Sequence, residues 1–112
     1  MCVNLESKRV LISSLLDIYG ALLKDGQRDV LDLYYNGDLS LSEIGEDTGI
    51  TRQGVRDALK KGEAKLLEFE EKLCFYKKSE KLRGGLESVA EQAKHLGDEK
   101  LCALAKDLMA EL

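Results

Sequence analysis

The chain has 112 residues, a length that suits a single all-α domain over residues 1–112. With 17 basic and 21 acidic side chains its net charge is −4, which excludes a globally basic nucleic-acid-binding protein. Proline and tryptophan are absent and the chain is rich in leucine, glutamate, lysine and alanine, so helices are predicted throughout.

Apolar residues recur at helical spacing over residues 5–23, which predicts the first helix. Lys8 and Arg9 precede the apolar run, so this stretch imitates a signal peptide. Asp17 interrupts the run, however, and no small-residue cleavage site follows it. No uncharged apolar run is long enough to span a bilayer, so we expect a cytoplasmic protein without a membrane association.

A short second helix is predicted from about residue 27 to Tyr35. Asn36 and Gly37 follow it and predict its end, because both residues tolerate the left-handed conformation found after helices.

The next stretch carries the signals for a helix, a tight turn and a further helix. Ser40 and Glu43 predict a capping box, in which each side chain accepts a hydrogen bond from the other residue's backbone amide. The helix that they start is expected to end near Thr48. Gly49 suits a turn with positive φ, and Thr51 suits the N-cap of the following helix.

Small and apolar residues stand where two steeply crossed helices need them. Gly45 is small at the expected crossing, and Ile50 is expected to fill the angle between the helices. The inner faces are supplied by Ile44, Val55, Ala58 and Leu59. These requirements are met within about fifteen residues, which predicts a helix-turn-helix over residues 40–60.

The second helix of this motif begins with polar side chains on its outward face. Its N-terminus suits a phosphate, and arginine and glutamine can form paired hydrogen bonds with guanine and adenine edges. The predicted DNA-binding residues are Thr51, Arg52, Gln53, Arg56, Lys60 and Lys61. The alternative is that they are solvent-exposed residues on a purely structural motif. Gly54 is unexpected on this face, because it lowers helix propensity and offers no side chain to a base.

The same helix is expected to be long, because a coiled-coil-like seam continues along it. The seam consists of Leu59, Gly62, Leu66, Phe69, Leu73 and Tyr76. It packs either on the first helix of the same chain or against a second copy. A homodimer is predicted because proteins with one short recognition helix usually pair to cover two half-sites. Gly62 costs about 1 kcal/mol relative to alanine in mid-helix, so we expect a close backbone approach there.

Residues 79–112 are predicted to form a C-terminal helical hairpin. Gly84 and Gly85 predict a break or kink, and the apolar spacing on either side of Gly97 is helical. Gly97 and Asp98 are expected to end one helix and cap the last one.

Cysteine and histidine are too sparse to predict a metal site or a catalytic centre. Cys2, Cys74 and Cys102 are far apart, no C-x-x-C is present, and His95 is the only histidine. This pattern indicates a reducing compartment and predicts no metal and no cofactor. No glycine-rich phosphate-binding motif occurs, so no enzyme activity is predicted.

Several stretches resemble known families. The segment "LSLSEIGEDTGITRQGVRDALKKGEAKL" resembles region 4 of sigma factors. More narrowly, the segments "LLDIYGALL", "DLYYNGDLSLSEI", "ITRQGV" and "EFEEKLCFY", in that order, resemble the YlxM-like family of small bacterial helix-turn-helix proteins. The resemblance covers about residues 10–78. The expected fold is a helix-turn-helix of the sigma region 4 type with its core at about residues 5–78, a long helix, and the C-terminal hairpin.

The resemblance to the YlxM-like family implies a cytoplasmic all-α protein that binds DNA. It also implies a link to the signal recognition particle, which for the family rests on gene neighbourhood with the particle's GTPase. Arg56 and Gly54 depart from the family pattern, where an aromatic residue and an alanine are expected. The alternative is an accessory factor that docks on protein or RNA of the particle, or on RNA polymerase, without sequence-specific DNA contacts. Net acidity and Gly54 favour the accessory factor, whereas the basic side chains and Gln53 of the second helix favour DNA binding.

Overall fold

The computed structural model describes residues 8–112, and this part of the chain is helical with no strand. The all-α class is therefore confirmed. The predicted helix start at residue 5 and Cys2 lie outside the described residues. The elements are α1 (Lys8–Tyr19) with a 3₁₀ turn (Gly20–Leu22), α2 (Asp25–Tyr35), α3 (Leu41–Thr48), α4 (Arg52–Leu73), α5 (Phe75–His95) and α6 (Glu99–Ala110).

The chain divides into two compact units, one ending at Cys74 and the other formed by Phe75–Leu112. Cys74 ends α4 in the left-handed conformation, with φ of 56°. The expected core of residues 5–78 and the expected single domain stay predictions.

Apolar side chains of α1 to α4 fill the core of the first unit. The fully enclosed ones are Ile12, Leu15, Tyr19, Val30, Leu31, Ile44, Val55 and Leu66. Glu70 of α4 is also buried, and its carboxylate accepts a hydrogen bond of 2.7 Å from the Tyr19 hydroxyl. Burying a carboxylate is costly unless it is hydrogen-bonded, so this bond between the end of α1 and α4 stabilises the core.

The end of α2 agrees with the prediction in position but not in cause. The helix ends at Tyr35, yet Asn36 has a φ of −101°, and the left-handed residue is Asp38, with φ of 55°. Gly37 is required for space instead, because a Cβ there would lie 2.8 Å from the carbonyl oxygen of Leu33. The predicted helix end at Asn36 and Gly37 is therefore confirmed, but neither residue adopts the left-handed conformation that both tolerate.

The first part of the predicted seam is covered by helices of the same chain. Leu59, Gly62 and Leu66 are buried. A Cβ at Gly62 would lie 2.5 Å from Cδ1 of Leu31 in α2, so a neighbouring helix does pack closely on this glycine, but through the Leu31 side chain and not through its backbone.

The second part of the seam is less enclosed. Phe69 is half-buried, and its ring centroid lies 5.9 Å from that of Tyr19 in α1. Leu73 is 40% exposed, and Tyr76 belongs to the second unit. The homodimer stays a prediction.

The second unit is a helical hairpin of α5 and α6 that buries Ala90, Ala93 and Ala105. Gly97 has a φ of 71°, and the Asp98 side chain accepts a hydrogen bond of 3.0 Å from the Leu101 amide. The predicted end of one helix and the cap of the next are therefore confirmed.

Of the predicted break or kink at Gly84 and Gly85, the break is wrong, because α5 is continuous from Phe75 to His95, and the kink stays a prediction. Each helix-interior glycine costs only about 1 kcal/mol relative to alanine, and the hydrogen bonds of a continuous helix offset this cost. The helical conformation is interrupted instead at Cys74, between α4 and α5.

Candidate nucleic-acid interface

The capping box at the start of α3 is confirmed. The Ser40 hydroxyl accepts from the Glu43 amide, and the Glu43 carboxylate accepts from the Ser40 amide, both at 3.1 Å. The hydrogen bond from the Ser40 amide lowers the pKa of the exposed Glu43. Hydrogen bonding with the Ser40 side chain lowers this pKa further, by a smaller amount. The first helix of the motif therefore has its amide donors satisfied where it begins.

The turn between α3 and α4 depends on two glycines. Gly49 adopts φ of 77° and donates to the Gly45 carbonyl at 2.9 Å, so its predicted positive φ is confirmed. A Cβ at Gly45 would lie 2.7 Å from the carbonyl oxygen of Ile50. A larger residue at Gly45 would push the turn away from α3. Because α4 begins directly after the turn, its first residues would move as well.

Ile50 is more exposed than the prediction that it fills the angle between the two helices requires. It is 40% exposed, whereas Ile44 of α3 and Val55 of α4 are fully buried. Ile50 instead packs over Gly54, where a Cβ would lie 2.6 Å from its Cγ2. The glycine that is unexpected for a DNA-contacting helix thus makes room for Ile50.

The N-cap of α4 is confirmed at Thr51, whose hydroxyl accepts from the Gly54 amide at 3.0 Å. The six predicted DNA-binding residues are all exposed, and they are Thr51, Arg52, Gln53, Arg56, Lys60 and Lys61. No ion pair within residues 8–112 involves any of the four basic residues in this set. Their positive charge is therefore available to a partner.

These six residues do not share one face of α4. Arg52 and Lys61 are about two and a half turns apart, so they lie on opposite sides of the helix. The Gln53 side-chain amide donates to Asp57 at 3.1 Å, so a base contact by Gln53 requires this bond to open. Arg56 and Lys60 lie one turn apart and line the same groove.

That groove, which we call the basic groove, has a volume of about 500 Å³. It is lined by Lys8 and Arg9 of α1, Tyr34 and Tyr35 of α2, Leu41 of α3, and Arg56, Leu59, Lys60 and Glu63 of α4. Four of these residues are basic and one is acidic. The fold therefore brings two basic side chains of α1 next to two basic side chains of the second helix of the motif.

Arg9 is held in place on the wall of the basic groove. Its Nη2 donates to the Tyr34 carbonyl oxygen at 2.8 Å and to Asp38 Oδ1 at 2.7 Å. Its guanidinium carbon lies 5.3 Å from the ring centroids of both Tyr34 and Tyr35, within the range of cation–π attraction. Arg9 thus closes the C-terminal end of α2, where the last carbonyls of a helix attract positive charge.

Glu63, the acidic residue of the basic groove, accepts a hydrogen bond from the Tyr35 hydroxyl. Burial raises the pKa of Tyr35, and the hydrogen bond to Glu63 raises it further. The hydroxyl therefore stays protonated at neutral pH and keeps donating to the carboxylate.

A second groove, which we call the acidic groove, lies beside the turn of the motif and has a similar volume of about 500 Å³. It is lined by Gly26, Asp29, Val30, Asp32, Leu33, Asp47, Thr48 and Ile50. Three of these residues are acidic and none is basic. The motif is thus flanked by grooves of opposite charge.

Within the described residues, no group of three or more histidine, cysteine or acidic side chains is arranged to hold a metal ion. In the same part of the chain, no helix has the length and apolar character needed to cross a membrane.

No sequence pattern predicts that Lys8, Arg9, Tyr34 or Tyr35 lies at the site. Lys8 and Arg9 were notable only for imitating a signal peptide. No local pattern relates residues near position 9 to residues near position 56, so only the packing of α1 beside α4 brings them together.

Comparison with known proteins supports the assignment of the motif. Residues 6–104 match the model of a family described as "Putative helix-turn-helix protein, YlxM / p13 like". A UPF0122 protein of Clostridium kluyveri is 54% identical over 66 residues, which are 59% of this chain and 60% of that relative. The matched stretch thus spans less than two thirds of the Clostridium relative's length.

Two other relatives match over more of their length. A UPF0122 protein of Caldanaerobacter subterraneus subsp. tengcongensis is 44% identical over 87 residues, which are 78% of this chain and 74% of the relative. A UPF0122 protein of Halalkalibacterium halodurans is 42% identical over 105 residues, covering 90% of this chain and 94% of the relative.

Proposed function

The chain belongs to the YlxM/p13-like helix-turn-helix family, and from this premise we propose that it is a non-catalytic regulatory protein that binds duplex DNA through α4. The proposal rests on the basic side chains in the first turns of α4, which are exposed and form no ion pair within residues 8–112. They follow directly after a capped α3 and a tight glycine turn. In a helix-turn-helix this part of the second helix is the part that meets the major groove.

Different side chains of α4 are suited to contact the DNA phosphates and the nucleobases. Arg56 and Lys60 lie side by side on α4 and are suited to neutralise backbone phosphates. Arg52 and Gln53, in the first turn of α4, are placed where recognition helices contact base edges. The Thr51 hydroxyl already accepts a hydrogen bond from Gly54, but its own proton can be donated to a phosphate oxygen.

The test is the salt dependence of binding to labelled duplexes of random and of selected sequence, followed by fluorescence anisotropy. Each neutralised phosphate contributes about −0.9 to the slope of log affinity against log salt concentration. The triple variant Arg52→Ala/Arg56→Ala/Lys60→Ala should have a slope flatter by about two units, from the phosphate contacts of Arg56 and Lys60, and by about three units if Arg52 also holds a phosphate.

A matched control removes three bases elsewhere in the first unit, at Lys24, Lys65 and Lys72. This control changes the net charge by the same amount but leaves the predicted contacts intact, so its slope should stay close to that of the wild type. Equal and weak binding by the wild type, the triple variant and the control would reject DNA binding. Circular dichroism of each variant confirms that the helices are retained.

Two single variants separate backbone contacts from base contacts. Arg56→Ala should flatten the slope by about one unit if Arg56 holds a phosphate. If Arg56 instead contacts a guanine, the loss should be about 1–3 kcal/mol and confined to particular sequences. Gln53→Ala should leave the slope unchanged and alter only the sequence preference.

The alternative is an accessory factor that binds protein or RNA of the signal recognition particle, or RNA polymerase, without sequence-specific DNA contacts. The net charge of −4 and the acidic groove beside the motif favour a protein partner within this alternative, since both repel a polyanion, whether DNA or RNA. The link to the particle rests on the family resemblance alone and stays a prediction, as does the cytoplasmic location. Affinity purification with and without nuclease, followed by identification of proteins and nucleic acids, separates the two functions.

A further inference from the structure

The two grooves that flank the helix-turn-helix differ in sign. Four basic side chains and one carboxylate line the basic groove, while three carboxylates and no base line the acidic groove. The acidic groove borders the turn through Thr48 and Ile50, and the basic groove borders α4 through Arg56 and Lys60. A polyanion lying along α4 therefore meets attraction on one side and repulsion on the other.

We propose that the basic groove is a second contact with the DNA, in which Lys8 and Arg9 of α1 hold a backbone phosphate of the duplex that α4 engages. This inference rests on the proposed function. It adds a binding element outside the helix-turn-helix and sets the direction in which the backbone leaves α4, toward α1 and away from the acidic groove.

Arg9 is suited to this role because it is already ordered. Within residues 8–112, both hydrogen bonds of the Arg9 side chain are donated by Nη2, so they do not use the N–H groups on Nε and Nη1. Its position is fixed by Tyr34, Tyr35 and Asp38, so little side-chain entropy remains to be lost when a phosphate binds. Asp38 offsets part of its charge, which leaves Lys8 as the more informative residue to change.

The single carboxylate of the basic groove, Glu63, is expected to repel a phosphate only weakly. Glu63 accepts a hydrogen bond from Tyr35, so part of its negative charge is directed to the groove wall. Around it, Lys8, Arg56 and Lys60 supply ammonium and guanidinium groups, the side chains that contact phosphate most often in DNA complexes.

The experiment compares Lys8→Ala with Lys24→Ala in the full-length chain. Both variants remove one exposed lysine from the first unit, but Lys24 precedes α2 and does not line the basic groove. The probe is a labelled duplex of random sequence, titrated at several salt concentrations by fluorescence anisotropy. Lys8→Ala should flatten the log–log slope by about one unit. At about 0.1 M salt its affinity should fall about eightfold, which is the effect of one contact with a slope of −0.9 taken from a 1 M reference.

The outcomes separate the two proposals. If the wild type shows no salt-dependent binding to any duplex, the proposed function fails and the inference fails with it. If the wild type binds and the triple variant of α4 does not, but Lys8→Ala and Lys24→Ala have equal slopes, then only the inference is overturned. A selective effect of Lys8→Ala, with unchanged helix content by circular dichroism, supports the phosphate contact.

Discussion

Replacing Gly62 with alanine measures how closely α2 approaches α4. A Cβ at this position would lie 2.5 Å from Cδ1 and 3.1 Å from Cγ of Leu31. Non-bonded carbon atoms prefer separations of about 3.5–4.0 Å, so the new methyl group overlaps Leu31 strongly. Leu31 is fully buried, and because protein cores are close-packed we expect its side chain to turn away only by shifting its neighbours.

Two effects of Gly62→Ala oppose each other. Overpacking a filled core costs about 1–3 kcal/mol, whereas alanine in place of a helix-interior glycine recovers about 1 kcal/mol. The free energy of unfolding should therefore fall by about 0–2 kcal/mol, measured by urea unfolding with circular dichroism. The matched control is Gly26→Ala in the first turn of α2, where no atom lies within 4 Å of the Cβ position. This control should be neutral or stabilising by up to about 1 kcal/mol.

A double-mutant cycle with Leu31→Ala isolates the overlap. Leu31→Ala alone should cost about 2–5 kcal/mol, because it leaves a cavity in the core. In that background the methyl group of Gly62→Ala has room, so the second substitution should become stabilising. Stabilisation of the wild-type chain by Gly62→Ala, or strict additivity in the cycle, would refute the close packing of α2 on α4.

Three further predictions concern the core, the cap and the hairpin. Tyr19→Phe removes the hydroxyl that donates to the buried Glu70, so thermal and urea unfolding should report a loss of about 1–3 kcal/mol; an unchanged stability would contradict the importance of this bond. The lowered pKa of Glu43 means that its ionised form stabilises the folded chain above its ordinary pKa of 4.5, and that this contribution is lost as pH falls through the lowered value. The stability advantage of the wild type over Glu43→Gln should accordingly shrink on acidification, and a pH-independent difference would count against it. Gly84→Ala and Gly85→Ala should each stabilise α5 by up to about 1 kcal/mol, seen as a higher midpoint of thermal unfolding, because nothing lies within 4 Å of either Cβ position; a lower midpoint would indicate packing against these glycines.

Features whose cause lies within a few residues were predictable. The capping box at Ser40, the positive φ of Gly49 and the caps at Thr51 and Asp98 all follow from hydrogen bonds or steric limits over one to four positions. The approach of another helix at Gly62 could also be anticipated, because a glycine in mid-helix needs a compensating contact.

The errors occur where a local preference is overridden by packing. Gly84 and Gly85 do not interrupt α5, whereas Cys74, which has no preference for turns, adopts the left-handed conformation. That conformation costs a non-glycine residue about 1–2 kcal/mol, and only the surrounding structure can compensate for it. The exposure of Ile50 and its packing over Gly54 likewise depend on how the turn sits on α3.

The sequence by itself determined the all-α class, the helix-turn-helix with its caps, and the exposed bases at the start of α4, since helical periodicity and capping chemistry are properties of adjacent residues. Only the tertiary structure decided that Lys8 and Arg9 share a groove with Arg56 and Lys60, and that acidic side chains occupy the groove beside the turn. The physical reason is that the electrostatic field at a site sums over all nearby charges in space, whatever their separation along the chain.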